Sequence, residues 1–189
     1  MSKKIILLSG IAGSGKDTFF HLASEMFPNI FERFAFADEL KKELSGKIKK
    51  DYDIDIFSCS REEKEKVREL LISHGMKRRE ESQGEYWVKK ITPWLKACKK
   101  MPIITDFRFL NERTLLSKSF ETYSIHIETF CPKRGICFSP SIPEEIENNP
   151  SLKLCAEDNV FWPDSKGNIS LLKPYVMESI IKIKKKWNF

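Results

Sequence analysis

Four residues near the start of the chain carry the strongest chemistry. Gly10, Gly15 and Lys16 stand at the spacing G-x-x-x-x-G-K, with Gly13 between them. Glycine has no Cβ, so the backbone N–H groups of such a loop can close around phosphate oxygens. A helix opening directly after the loop adds free N–H donors and a partial positive charge. Lys16 can reach the outer phosphates as a point charge. Gly10, Gly13, Ser14, Gly15, Lys16, Asp17 and Thr18 are therefore the candidate phosphate ligands. A glycine-rich strand-to-helix turn without a ligand is the bland alternative. Spacing, lysine and flanking pattern together argue against it. One feature is unusual: Asp17 follows the lysine where the motif has serine or threonine, and the hydroxyl comes one place later, at Thr18.

A second group lies further along. The apolar stretch Pro102-Ile103-Ile104-Thr105 ends at Asp106, with Arg108 two residues on. Beside a phosphate loop, a carboxylate at a strand end is placed to hold Mg²⁺ directly or through water. Asp106 and Thr18 are the candidate metal residues. A helix cap or turn is the alternative for Asp106. The planar fork of Arg108 suits a phosphate. Arg68, Arg78 and Arg79 form a third group able to grip a second phosphate, although each alone is more simply a solvated residue.

These residues need a scaffold. Ile5–Leu8 reads as a buried strand, followed by the glycine turn and a helix from Thr18. Phe34–Ala37 reads as a second strand, with Asp38 capping the next helix. Ser60 and Glu63 have capping-box spacing and open a helix carrying Val67, Leu70, Leu71 and His74, closed near Gly75. Ser82 and Glu85 repeat the box before Tyr86-Trp87-Val88, and Pro93 breaks or kinks that segment. Residues 102–105, 123–129 and 160–162 supply further strands, and Ile169–Trp187 reads as a closing basic helix apart from an early Pro174. Strands alternating with helices predict an α/β fold, a parallel sheet flanked by helices, with ligands at the carboxyl ends of the strands. The 189 residues read as one domain, with acceptor-binding helices over about 38–100. Residues 131–158 hold four prolines and break the rhythm, so they read as a lid or an irregular excursion, with Arg134 as a lid arginine.

The 33 Lys and Arg against 27 Asp and Glu give a net charge of +6, which suits anionic ligands. The five cysteines are scattered without a C-x-x-C pair, which reads as free thiols in a reducing compartment rather than a zinc site. No run approaches the roughly 20 apolar residues a membrane span needs. A cytoplasmic enzyme follows as the expectation, with no membrane partner.

Taken together, GIAGSGKDT, FAFADELKKEL, VRELLISHGMKRRE with GEYWV, and PIITDFRFLNE resemble the deoxynucleoside monophosphate kinases of phages and large viruses, within the wider nucleoside-monophosphate-kinase-like group. The likeness spans about residues 3–112, continues weakly through residues 158–172, and is poor over about 131–157. It implies a three-layer P-loop kinase fold with a small lid segment. It implies ATP and Mg²⁺ as cofactors and transfer of the γ-phosphate to a deoxynucleoside 5′-monophosphate. It gives Lys16, Asp106 and Arg108 catalytic roles. Asp38, Arg68, Arg78, Arg79, Arg108 and Trp87 would bind the acceptor, with Phe36 as an alternative stacking partner and a core role open to both aromatics. GKDT is a form familiar in that group, so the metal role of a hydroxyl directly after the lysine does not carry over. Whether Asp17 faces the acceptor or a metal-bound water stays open. Small-molecule nucleotides are the implied partners, in a host cytoplasm if the source is viral, with a homodimer compatible and nucleic acid not expected.

Two other readings compete. FADELK and DFR faintly resemble phosphomevalonate and dephospho-coenzyme-A kinases. A nucleic-acid-binding P-loop ATPase fits the basic charge, but the chain has no N-K-x-D stretch, and Asp106 is followed by Phe107 rather than Glu.

Overall fold

A computed structural model describes residues 2–131, 136–137, 143–165 and 167–188. In chain order the elements are β1 (Lys3–Ser9), α1 (Lys16–Met26), β2 (Phe31–Phe34), α2 (Phe36–Tyr52), α3 (Arg61–Lys66), α4 (Arg68–Glu81) and α5 (Tyr86–Ala97). There follow β3 (Met101–Ile104), α6 (Leu110–Leu116), β4 (Phe120–Cys131), β5 (Ile136–Cys137), α7 (Pro143–Leu154), β6 (Asp158–Pro163) and α8 (Lys173–Trp187). They divide into two compact units, a sheet unit of Met1–Phe34 with Ala97–Phe189 and a helical unit of Ala35–Lys96.

In the sheet unit five strands run parallel in the order β2-β3-β1-β4-β6, and the two-residue β5 pairs antiparallel with the end of β4. β1 is central, and Ile5, Ile6, Leu7 and Leu8 are all fully buried. Such a run, apolar on both sides of the pleat, requires both faces of the sheet to be covered. Ile6, Leu8, Ile125 and Ile127 share one core cluster with Phe19 and Leu22 of α1 and with Val176 and Ile180 of α8. Ile5 and Leu7 alternate to the other side, where α7 packs against β1 and α6 against β4. Asp158 is nearly fully buried, and it accepts from Ser179 Oγ at 2.6 Å and Lys182 Nζ at 2.8 Å, tying β6 to α8. A buried carboxylate without those donors would be strongly destabilising.

The helical unit is built around Leu44, Ile48, Ile54, Ile56, Val67 and Leu71. The capping box predicted at Ser60 forms: Glu63 N donates to Ser60 Oγ at 3.1 Å and Ser60 N to Glu63 Oε2 at 2.8 Å. A polar node joins α2, α4 and α5. Glu43 accepts from His74 Nε2 and Arg78 Nε at 2.9 Å, Tyr86 Oη at 2.7 Å and Lys90 Nζ at 2.8 Å. Burial pushes the Glu43 carboxyl up, but the four donors outweigh it and bring its pKa to about 2.

Several local expectations need correction. Phe34–Ala37 is not a strand: β2 ends at Phe34, Ala35 is the N-cap and α2 starts at Phe36, so Asp38 lies in the first turn and does not cap it. Four apolar residues fit a strand end or a buried helix start equally well. The helix opened by Ser60 breaks at Val67, and α4 then continues past Gly75 to Glu81. Gly75 is retained inside it, where a Cβ would meet Leu40 at an ordinary 3.4 Å, and its carbonyl accepts from Trp87 Nε1 at 3.1 Å. Ser82 is the C-cap of α4, and its Oγ accepts from Tyr86 N at 3.0 Å, one residue beyond the predicted box. Of the two outcomes open for Pro93, a break does not occur: it lies inside α5, which runs on to Ala97. Ile169–Leu172 forms a 3₁₀ turn, and Pro174 sits in the first turn of α8, where its missing N–H costs nothing. Among the described residues no helix is long and apolar enough to cross a membrane.

Candidate phosphate-binding site

The predicted glycine turn joins β1 to α1 at the carboxyl edge of the parallel sheet. Gly10 has φ 133°, and a Cβ there would lie 2.3 Å from the Ile127 carbonyl oxygen. Gly15 has φ 94°, and a Cβ there would lie 2.5 Å from the Trp162 ring. Both positions demand glycine on two counts, left-handed backbone and close approach. The Lys16 ammonium folds over the loop and donates to the Gly10 carbonyl at 2.6 Å and the Ile11 carbonyl at 2.7 Å. Lys16, Asp17 and Thr18 form the first turn of α1, where the helix concentrates positive potential. Thr18 is half-buried. Asp17 points outward, its side chain 74% exposed, and pairs with Arg33 Nε of β2 at 3.0 Å.

Ser14 is anchored from below. It is fully buried, and its carbonyl accepts from Thr129 Oγ1 of β4 at 2.9 Å and from Trp162 Nε1 of β6 at 3.1 Å. Sequence reading missed both donors, because nothing in a single sequence shows that positions 115 and 148 residues away meet the loop. The β1–β4 register also sets Ser9 opposite His126. Ser9 Oγ and His126 Nδ1 are 2.9 Å apart, and the ring is fully buried. Burial brings the His126 pKa to about 4, so the imidazole is neutral at pH 7.

Asp106 lies on the same carboxyl edge. Thr105 N donates to the Phe34 carbonyl at 2.9 Å and Phe107 N to the Leu8 carbonyl at 3.2 Å, which places Asp106 beside the end of β1. Glu112 is almost fully buried, and its Oε2 accepts from Arg108 N and Phe109 N at 3.1 Å each. The backbone of the half-buried Arg108 is thereby fixed. The sheet unit thus brings together the glycine loop, Lys16, Thr18, Asp106 and Arg108 along one edge.

The remaining candidates belong to the helical unit. Asp38 stands 3.7 Å from Lys41 Nζ. Arg68 begins α4 and meets Glu65 at 3.3 Å. Arg78 is held by Glu43 and lies over the Tyr86 ring at 5.0 Å. Arg79 is half-buried on the same helix. Trp87 is buried, its indole N–H bound to the Gly75 carbonyl and its ring edge-on to Tyr86. Arg134, and the part of the lid region over residues 132–135 and 138–142, lie outside the described residues.

No group of three or more His, Cys, Asp or Glu able to hold a metal occurs among the described residues. Mg²⁺ at a nucleotide site takes one or two protein oxygens and completes its shell with phosphates and water. The carboxylate of Asp106 and the hydroxyl of Thr18 are donors of that kind.

No family model and no curated protein sequence matches the chain. Solved structures do. The shikimate kinase from Bacteroides thetaiotaomicron is 12% identical at a TM-score of 0.50, with 100% of both chains covered. The protein TT1252 from Thermus thermophilus is also 12% identical at a TM-score of 0.50, over 96% of this chain and 98% of that one. With five parallel strands flanked by helices and a glycine loop between β1 and α1, this chain has the P-loop kinase fold.

Proposed function

We propose that the protein transfers the γ-phosphate of ATP to a deoxynucleoside 5′-monophosphate, giving the diphosphate. The observation that carries the kinase reading is the loop Gly10–Lys16 at the carboxyl edge of the sheet, with Asp106 at the end of the neighbouring strand. The acceptor class rests on the resemblance of residues 3–112 to the phage and viral deoxynucleoside monophosphate kinases. The chemistry asks for positioning and charge stabilisation, with no covalent intermediate. The loop amides and Lys16 hold the donor's outer phosphates. Asp106 and Thr18 would hold Mg²⁺, which supplies charge neutralisation between the donor phosphates. Arg108 is assigned to the charge that develops on the phosphoryl group in transfer. Arg68, Arg78, Arg79 and Trp87 are assigned to the acceptor on the strength of the resemblance.

A second reading is a kinase whose acceptor is the hydroxyl of a small molecule. It is favoured by one observation: Arg78 is already committed to Glu43, so an acceptor phosphate there would compete with a carboxylate in place. One assay separates these readings. ATP and Mg²⁺ are incubated with ribo- and deoxynucleoside monophosphates and, separately, with hydroxyl acceptors, and products are resolved by chromatography. Diphosphate formed from a deoxynucleoside monophosphate is the expected result. Phosphorylation of hydroxyl acceptors alone would move the assignment to the second reading. ATP hydrolysis stimulated by DNA, with no phosphorylated small product, would replace both with an ATPase.

A further inference from the structure

We infer that Thr129 and Trp162 are positioning residues for the phosphate loop, holding the Ser14 carbonyl out of the cradle so that the Gly15 amide is presented to phosphate. The inference rests on the reading of Gly10–Lys16 as a phosphate site.

Three groups form a closed triangle. Thr129 Oγ1 donates to the Ser14 carbonyl at 2.9 Å, and Trp162 Nε1 lies 3.1 Å from the same oxygen and 3.0 Å from Thr129 Oγ1. The threonine hydroxyl thus donates once and accepts once, and the indole N–H is shared between two acceptors. All of it is dry: Ser14 is 0% exposed, Trp162 1% and Thr129 9%. In a trans peptide the C=O and the following N–H point in opposite directions, and the described chain has no cis bond. Fixing the Ser14 oxygen on β4 and β6 therefore turns the Gly15 N–H away from those strands.

The lock is needed because this peptide is easily flipped. Gly15 has no Cβ to bias its φ, which stands at 94°. A rotation of the Ser14–Gly15 plane would replace an N–H with a carbonyl oxygen, a donor with an acceptor, where an anion must sit. The Trp162 ring packs hard against Gly15, so close that a Cβ there would fall 2.5 Å from it. The ring restricts the loop sterically, and its N–H restricts it by hydrogen bonding. The two strands that supply the donors carry no phosphate ligand of their own in the proposed site, which is why neither residue stands out in the sequence.

The test uses the full chain and MgADP, with binding measured by calorimetry and folding by near-UV circular dichroism and melting temperature. Thr129→Val keeps the shape and removes the hydroxyl; Trp162→Phe keeps an aromatic ring and removes the N–H; Thr129→Ser restores the hydroxyl. The expected result is a Kd for MgADP raised about tenfold in Thr129→Val and in Trp162→Phe, the scale of one lost hydrogen bond, with Thr129→Ser within about twofold of wild type. Both weakened variants keep the native near-UV spectrum at the temperature of binding. Wild-type affinity in Thr129→Val and Trp162→Phe overturns the inference. So does a loss that follows only the unfolded fraction, or that serine does not restore. If the wild-type chain itself fails to bind MgADP, it is the phosphate-site reading that falls, and that outcome is read before any variant is made.

Discussion

The glycine loop of the sheet unit and the polar node of the helical unit are held in different ways. In the sheet unit the phosphate loop is fixed by neutral donors, a hydroxyl and an indole, and the histidine beside it is kept uncharged by burial. In the helical unit the corresponding junction is ionic: one carboxylate, Glu43, receives two cations, a phenol and an imidazole. Neutral bonds in a dry setting fix geometry without adding a net charge. That suits a loop whose own potential must stay positive for an anion. The Glu43 node offsets part of the charge of two cations and joins three helices, and its strength depends on protonation. Geometry is guarded at the loop and charge at the node.

The largest test of that contrast is Lys16→Ala. It removes the ammonium that lies over the loop and is held there by the Gly10 and Ile11 carbonyls. The expected loss is roughly 10²–10³ in kcat for phosphoryl transfer, with the melting temperature near wild type. Turnover close to wild type would place the donor site elsewhere. Asp106→Asn comes next, with kcat lowered by roughly 10–100-fold, partly restored by raised Mg²⁺, and stability little changed. A variant that unfolds and gains nothing from Mg²⁺ would make Asp106 structural.

The arginines divide between the units. Removing one charge-assisted contact to a phosphate costs about 1.5–3 kcal/mol, so Arg79→Ala and Arg108→Ala should each raise KM for the monophosphate about tenfold or more, with KM for ATP far less affected. Arg108→Ala should lower kcat as well, since its backbone is pinned beside the donor edge by Glu112. Lysine at either position should restore only part of the loss, because it keeps the charge and loses the fork. Steady-state kinetics with each substrate varied in turn gives the answer. An unchanged monophosphate KM in both variants would move the acceptor phosphate to Arg68.

How much of this is legible in the sequence differs between the units for a physical reason. The loop is a local device: glycines, lysine, a preceding strand and a following helix lie within about fifteen residues, so spacing alone reveals it. The capping box at Ser60 is equally local. The clamp on Ser14 is not, because β4 and β6 reach it only through parallel pairing across the sheet. Glu43 is invisible for the same reason, an ordinary acid on a helix until His74, Arg78, Tyr86 and Lys90 converge on it. The misread boundaries share another cause. Local preference suits a strand at Phe34–Ala37 and a helix end at Gly75, and the folded chain puts helix at both Phe36–Ala37 and Gly75. Gly75 sits inside α4, where its carbonyl accepts from Trp87 Nε1.

Acid should separate the units. Glu43 has a folded pKa of about 2 against an ordinary value of 4.5, so its stabilisation is complete above about pH 4.5 and is lost as the pH falls toward 2. His126 runs differently. Its folded pKa of about 4 lies below the ordinary 6.5, so the unfolded chain binds the proton more readily, and stability declines as the pH falls from 6.5 to 4. The sheet unit should weaken first. Glu43→Gln should cost about 1–2 kcal/mol at pH 7 and progressively less below pH 4.5, read by urea unfolding across the range. A cost that does not change with pH would show that packing, not charge, joins the three helices.

The smallest effect is expected at Asp17, the residue that departs from the usual motif. It has two candidate duties, facing the acceptor or a metal-bound water, and the structure gives it a third. Its side chain is mostly exposed and reaches Arg33 at 3.0 Å. An exposed pair of this kind contributes about 0–1 kcal/mol. A carboxylate in the first turn of α1 adds a few tenths through the helix dipole. Asp17→Asn should therefore lower stability by less than about 1 kcal/mol, and the difference should shrink in high salt as the charges are screened. Its kcat should stay within a few-fold of wild type, because Lys16, Thr18 and the clamped loop are untouched. The comparison with Asp106→Asn is the sharp one, since both changes remove one carboxylate charge from the same edge of the sheet. Equal losses in the two variants would mean that Asp17 leaves Arg33 when nucleotide binds. A large loss at Asp106 with almost none at Asp17 would show that position along the edge, rather than net charge, decides which carboxylate takes part in transfer.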